Sequence, residues 1–142
     1  MKKIVILGST GSIGRQTLDI VRAFPDEFEV IGLAAGHNIA LLSQQIREFK
    51  PKYAYSLTNL DSPISNVTFF SLSEMARIPE VDMVVVATTG SVGLIPTLEA
   101  LKEGKSVALS NKEPIVMAGH LIKAYESQYG GQILPVDSEP SA

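Results

Sequence analysis

Lys3-Ile4-Val5-Ile6-Leu7-Gly8-Ser9-Thr10-Gly11-Ser12-Ile13-Gly14 opens the chain and decides its fold. Lys3 to Leu7 is a short β-branched, apolar run, the pattern of a strand buried on both faces. It breaks directly into glycine. From Ser12 to Ala23 the apolar residues Ile13, Leu18, Ile20 and Val21 then recur at roughly helical spacing, and Pro25 closes the segment. A glycine turn between a buried strand and a helix has a chemical use. Holding a phosphate requires glycine where the backbone reverses, where it approaches the anion without a Cβ in the way, and where helix and strand pack closely. Gly8, Gly11 and Gly14 can fill those roles, and the following helix offers free N–H groups and the positive end of its dipole. Ser9, Thr10 and Ser12 add hydroxyls. No Gly-Lys-Ser/Thr follows, so this is not a Walker A loop, and the turn reads as a dinucleotide site.

Outward from that turn, apolar runs alternate with amphipathic stretches. Strands are expected at Phe28 to Ala35, Lys52 to Leu57, Asp82 to Ala87, Ser106 to Leu109 and Gln132 to Val136, with a short extra one at Val67 to Phe70. Helices are expected from an Asn38 cap to Phe49, for one turn at Ser73 to Ala76, over Pro96 to Glu103 and over most of Glu113 to Tyr129. Thr58 to Asn66 reads as a surface loop. The β-α-β-α order, with strands that are continuously apolar, predicts an α/β fold: a doubly wound, mostly parallel sheet with helices on both faces, Rossmann-like.

The 142 residues suit one domain, and a composition 45% hydrophobic and 19% charged is globular rather than disordered. Lys and Arg total 12 against 15 Asp and Glu, a net charge of -3 without a basic stripe, which argues against a nucleic-acid partner. The absence of cysteine rules out disulfides, thiolate metal sites and a cysteine nucleophile. No apolar run reaches the roughly 18 residues of a membrane span, and the apolar start is too short for a signal peptide, so a cytoplasmic location is expected.

Domains that prefer NAD usually carry Asp or Glu at the end of the second strand, about 20 residues past the turn. Here that position reads Ala34-Ala35-Gly36-His37-Asn38. Without a carboxylate there is no repulsion toward a 2′-phosphate, which favours NADP(H). His37 and Asn38 either donate to that phosphate or serve only as a turn and a helix cap. Thr88-Thr89-Gly90 likewise either lets a nicotinamide ribose pass or merely closes a strand. Two polar groups follow later strands: Ser110-Asn111-Lys112-Glu113 and Asp137-Ser138-Glu139. If extended, Asp137 and Glu139 point the same way and suit Mg²⁺ or Mn²⁺, with Lys112 as a fixed positive charge for an anionic substrate; the alternative is a solvated loop. His120 reads as a surface residue.

With Leu7 to Gly14, Ala35 to Asn38, Leu109 to Glu113 and Leu134 to Glu139 in this order, the chain resembles the N-terminal part of the 1-deoxy-D-xylulose 5-phosphate reductoisomerase family. The resemblance runs through all 142 residues. It implies conversion of 1-deoxy-D-xylulose 5-phosphate to 2-C-methyl-D-erythritol 4-phosphate in non-mevalonate isoprenoid synthesis, with NADPH and a divalent cation. It implies NADPH contacts at Thr10, Gly11, Ser12, Ile13, Gly36, His37, Asn38, Asn111 and Glu113. It further implies substrate contacts at Lys112, Ser138 and Glu139, and metal ligands at Asp137 and Glu139. His37 stands where the family commonly has lysine, and Pro140 where histidine follows the Asp-Ser-Glu triplet. The resemblance implies an NADPH-binding domain over 1–142 that ends at the start of the metal site, the catalytic and C-terminal domains of a homodimeric enzyme lying outside these residues. Two other readings of the glycine turn are the cofactor domain of another NAD(P)-dependent reductase, of homoserine or dihydrodipicolinate type, and a non-catalytic dinucleotide-binding module.

Overall fold

The structure is a computed structural model and describes residues 1–58, 66–110 and 112–136. Its strands are β1 (Lys2–Leu7), β2 (Phe28–Ala35), β3 (Tyr53–Ser56), β4 (Thr68–Phe69), β5 (Met83–Val86), β6 (Ser106–Leu109) and β7 (Gln132–Pro135). Its helices are α1 (Ser12–Ala23), α2 (Ile39–Phe49), α3 (Leu72–Ala76), α4 (Leu94–Lys102) and α5 (Glu113–Tyr129). The expected elements are all present, with ends shifted by a residue or two where strands fray into turns.

The strands form one sheet in the order β4-β3-β2-β1-β5-β6-β7, and every pairing is parallel. From β1 the chain winds outward to β4, then returns to the other side of β1 and winds outward again. The reversal therefore falls between β1 and β5, and their carboxyl ends form the crevice where ligands of such sheets bind.

Strand alternation divides the core. Ile4, Ile6, Val30, Leu33 and Val85 face α1 and α2, whose Leu18, Val21, Leu42 and Ile46 complete that layer. Val5, Leu7, Ile31, Val84, Val86 and Val107 face the opposite side, against Met75 of α3, Leu101 of α4 and Ile122 of α5. Each such aliphatic side chain contributes about 1.5–3 kcal/mol relative to exposure, and the buried positions of β1, β2 and β5 carry no polar side chain. Ile20 is 52% exposed, although its spacing suggested the apolar face; it lies two positions past Leu18, a little over half a turn around the helix.

Four features go beyond the sequence reading. The β1–β2 register slips between Ile4 and Val5: Ile4 pairs with Val30 and Val5 with Gly32, so Ile31 is the extra residue, and a Cβ on Gly32 beside it would lie 3.1 Å from Val5 Cγ1 and 3.2 Å from Met75 Sδ. Ser71 and Glu74 form a reciprocal capping box on α3. A 3-10 turn at Gly90–Gly93 precedes α4, and α5 is interrupted at Ala118 (φ -142°, ψ 34°).

Candidate dinucleotide site

The glycines of the turn are not equivalent. Gly8 has φ +94°, and a Cβ there would lie 2.7 Å from the carbonyl carbon and oxygen of Ala87. At Gly14 a Cβ would run into the Gly8 carbonyl oxygen and the Ser9 backbone. Both are demanded by the protein itself, the first by strand β5 alongside and the second by the seating of α1 on the turn. Gly11 differs. A Cβ there would meet only the Gly8 oxygen, at 3.8 Å, and its φ of -81° with ψ 179° is open to any residue. Nothing in the fold requires glycine at Gly11, and that is the position where a pyrophosphate needs the bare backbone.

Hydrogen bonds hold the turn in place. The Gly8 and Ser9 N–H groups both donate to the Ala34 carbonyl at 2.8 Å, and the Gly11 N–H donates to Gly8 at 3.3 Å. Gln45 of α2 donates through Nε2 to the Ser9 carbonyl at 2.9 Å. Helix α1 then starts at Gly11 with no side-chain cap and no acidic residue in its first turn. Arg15 instead sits there, its Nε donating to the Gly11 carbonyl at 3.4 Å. A cation at the positive end of a helix dipole is the reverse of the stabilising arrangement, so this terminus is left electropositive and ready for an anion. Arg15 escaped the sequence reading, which weighed only the glycines and hydroxyls; a basic residue directly behind Gly14 was the available signal.

The turn opens onto a cleft of about 310 Å³ at the carboxyl ends of β1, β2 and β5. Gly8 and Gly11 line it from the turn, Gly36 from the end of β2, and Thr88 and Thr89 from the end of β5. The fold thus brings together the glycine turn, the end of β2 and the small residues after β5. Val92, 58% exposed, lines the cleft from the 3-10 turn. That turn packs tightly: a Cβ on Gly93 would lie 2.5 Å from Val86 Cγ1 and 2.9 Å from Thr88 Oγ1. Neither residue was singled out from the sequence, because their role depends on how the turn folds back over β5.

Thr10, Ser12 and Ile13 belong to the same turn, and the Ile13 side chain is buried. Past the end of β2, Asn38 accepts from the Leu41 N–H at 3.3 Å and caps α2, which leaves its amide N–H groups as donors. His37 is exposed and pairs through Nδ1 with Thr58 Oγ1 at 2.8 Å, leaving Nε2 as the second ring nitrogen.

Lys112 and Glu113 stand apart from the cleft's lining, at the start of α5 beyond the end of β6. Glu113 turns back toward the end of β5, its Oε2 being 3.8 Å from where a Cβ on Gly90 would lie. Strands β6 and β7 end side by side, with Leu109 paired to Pro135 and the Val136 N–H donating to Leu109. Asn111, Asp137, Ser138, Glu139 and Pro140 lie outside the described residues. Among the described residues no group of three or more His, Asp or Glu is placed to hold a metal, and no helix is long and apolar enough to cross a membrane. His120 is exposed, as expected.

Residues 4–119 match the family model described as 1-deoxy-D-xylulose 5-phosphate reductoisomerase. The protein of that name from Caldanaerobacter subterraneus subsp. tengcongensis is 51% identical over 152 aligned positions, covering 100% of this chain and 40% of its own length. A crystal structure of DOX-P reductoisomerase in complex with NADPH, fosmidomycin and magnesium superposes with a TM-score of 0.87 at 33% identity, covering 96% of this chain and 36% of that one. A homoserine dehydrogenase from Thiobacillus denitrificans superposes at a TM-score of 0.66 and 20% identity, over 93% of this chain and 28% of its own, a likeness of fold alone. The chain spans about 40% of the length of the curated relatives it matches.

Proposed function

The chain belongs to the 1-deoxy-D-xylulose 5-phosphate reductoisomerase family, and from that premise we propose that residues 1–142 are the NADPH-binding domain of an enzyme that makes 2-C-methyl-D-erythritol 4-phosphate from 1-deoxy-D-xylulose 5-phosphate. The observation that carries the cofactor role is the contrast within the turn. Gly8 and Gly14 are closed by the protein's own backbone, whereas the space over Gly11 is free and faces the cleft.

In this reading the backbone of Thr10, Gly11, Ser12 and Ile13 holds the pyrophosphate at the positive end of α1. Gly36 lets the adenosine ribose lie against β2, and His37 and Asn38 donate to the 2′-phosphate. Asn111 and Glu113 lie along the cofactor, and Thr88 and Thr89 leave room for the nicotinamide ribose. NADPH, when bound, supplies the hydride that reduces a carbonyl. Lys112 and Ser138 contact the phosphorylated sugar. Asp137 and Glu139, two hard carboxylates with one residue between them, are in this reading the ligands of Mg²⁺ or Mn²⁺, and Glu139 also touches substrate; such a cation, when bound, polarises substrate oxygens as a Lewis acid. The solved relative that carries both NADPH and magnesium supports the pairing. The domain works in a cytoplasmic homodimer without nucleic acid or membrane as partner, in keeping with a net charge of -3 and no basic stripe.

Titration of the chain with NADPH and with NADH by calorimetry tests the cofactor reading. NADPH is expected to bind more tightly, and His37→Ala to narrow that advantage. Equal affinities overturn the 2′-phosphate assignment, and binding of neither overturns the dinucleotide site. The reaction is tested with a chimera joining these residues to the remaining length of the Caldanaerobacter relative, assayed with deoxyxylulose phosphate and Mn²⁺. NADPH oxidation is expected there and not from the 142 residues alone.

A further inference from the structure

Gln45 is 3% exposed, on the inner side of α2, and its amide does one thing: Nε2 donates to the Ser9 carbonyl at 2.9 Å, from 36 residues away in sequence. Its Oε1 is buried without a partner. An unsatisfied buried acceptor is unfavourable, and a methionine of like volume would fill the same space without one. Packing therefore does not account for an amide at this position; its hydrogen bond to the turn does.

The direction of that bond has a consequence for the next peptide. In a trans peptide the carbonyl and the following N–H point opposite ways, and the described residues contain no cis bond. Drawing the Ser9 carbonyl toward α2 therefore aims the Thr10 N–H away from α2, to the side of the turn where Gly11 leaves the approach bare. The neighbouring donors are already used: Gly8 and Ser9 on Ala34, and Gly11 on Gly8. Thr10 is the turn's first amide that these bonds leave for a ligand.

We propose that Gln45 is a positioning residue, acting through the Ser9 carbonyl to orient the Thr10 N–H toward the pyrophosphate of the bound dinucleotide. The inference rests on the dinucleotide reading of the turn, and the experiment separates the two. Two variants are compared with the unaltered chain. Gln45→Met keeps the volume and removes the donor. Gln45→Glu sets an oxygen against the Ser9 carbonyl, and only its protonated carboxyl can donate. The probes are NADP⁺ and 2′-AMP, which shares the adenosine and 2′-phosphate but has no pyrophosphate.

If the unaltered chain fails to bind NADP⁺, the dinucleotide reading itself falls. Given binding, both variants are expected to hold NADP⁺ about five- to tenfold more weakly at neutral pH, the scale of one lost hydrogen bond, with 2′-AMP affinity unchanged within about twofold. The Gln45→Glu variant is further expected to regain NADP⁺ affinity, relative to the unaltered chain at the same pH, as its buried carboxyl protonates. Unchanged NADP⁺ affinity, equal losses for both probes, or no recovery on acidification of a folded Gln45→Glu variant each overturn the inference. Should Gln45→Glu not fold, the two-probe comparison on Gln45→Met decides alone.

Discussion

Replacing Gly11 by alanine separates what the fold needs from what a ligand needs. The added methyl meets only the Gly8 oxygen at 3.8 Å, and the extended backbone at Gly11 suits alanine. Folding is thus not penalised, and the loss of glycine's freedom in the unfolded chain stabilises by about 0.4–1 kcal/mol. For a domain of this size that raises the melting temperature by about 1–4 °C. Gly8→Ala behaves oppositely, because φ is +94° and the methyl would lie 2.7 Å from the Ala87 backbone. Left-handed strain of about 1–2 kcal/mol and overpacking of about 1–3 kcal/mol add to a loss of roughly 2–5 kcal/mol. On binding, the Gly11→Ala methyl occupies the path of the pyrophosphate and should weaken NADPH at least tenfold, about 1.4 kcal/mol. Thermal unfolding by circular dichroism without ligand, and NADPH calorimetry on the same samples, read both quantities. A Gly11→Ala chain that binds NADPH as tightly as the original refutes the idea that this space is kept for the pyrophosphate. One that melts well below the original refutes the claim that the space is open.

Two further outcomes concern stability. Lys105 is buried, its Nζ donating to the Ile78 and Val81 carbonyls at 2.7 Å each, and burial holds its pKa below the ordinary 10.5. Lys105→Met leaves both carbonyls without that donor and should cost about 2–4 kcal/mol; an unchanged urea midpoint would contradict this. The Glu48, Glu74 and Glu80 carboxyls are held below the usual 4.5, chiefly by hydrogen bonds with Arg22, the Ser71 backbone and Lys52 respectively. Because their folded pKa values lie below the unfolded one, their stabilisation is complete above about pH 4.5 and is lost as pH falls through the depressed values. Melting temperatures are therefore expected to fall on acidification below that point, and a flat profile there would count against these pairs.

Much of this was legible residue by residue. Val84, Val85 and Val86 announced a buried strand, Asn38 announced a helix start, and Pro51 beyond Phe49 announced its end, since strand burial and capping are local effects. The 3-10 turn at Gly90–Gly93 was not legible, because it is stabilised by packing Gly93 on Val86 rather than by any signal of its own. The slip at Ile31 was hidden for the same reason: a bulge shows only against the strand it pairs with.

The sequence by itself determined the strand, the glycine turn and the helix at the amino end, the parallel α/β class, and the lack of an acid after β2. Those depend on propensity and polarity within a few residues. Tertiary structure alone decided that β5 lies beside β1 and so opens the crevice, and that Gly8 and Gly14 serve the protein while Gly11 is left for a ligand. It alone brought Gln45 to the Ser9 carbonyl. What a Cβ would strike, and which amide a carbonyl finds, are set by chain segments far away in sequence and adjacent only after folding.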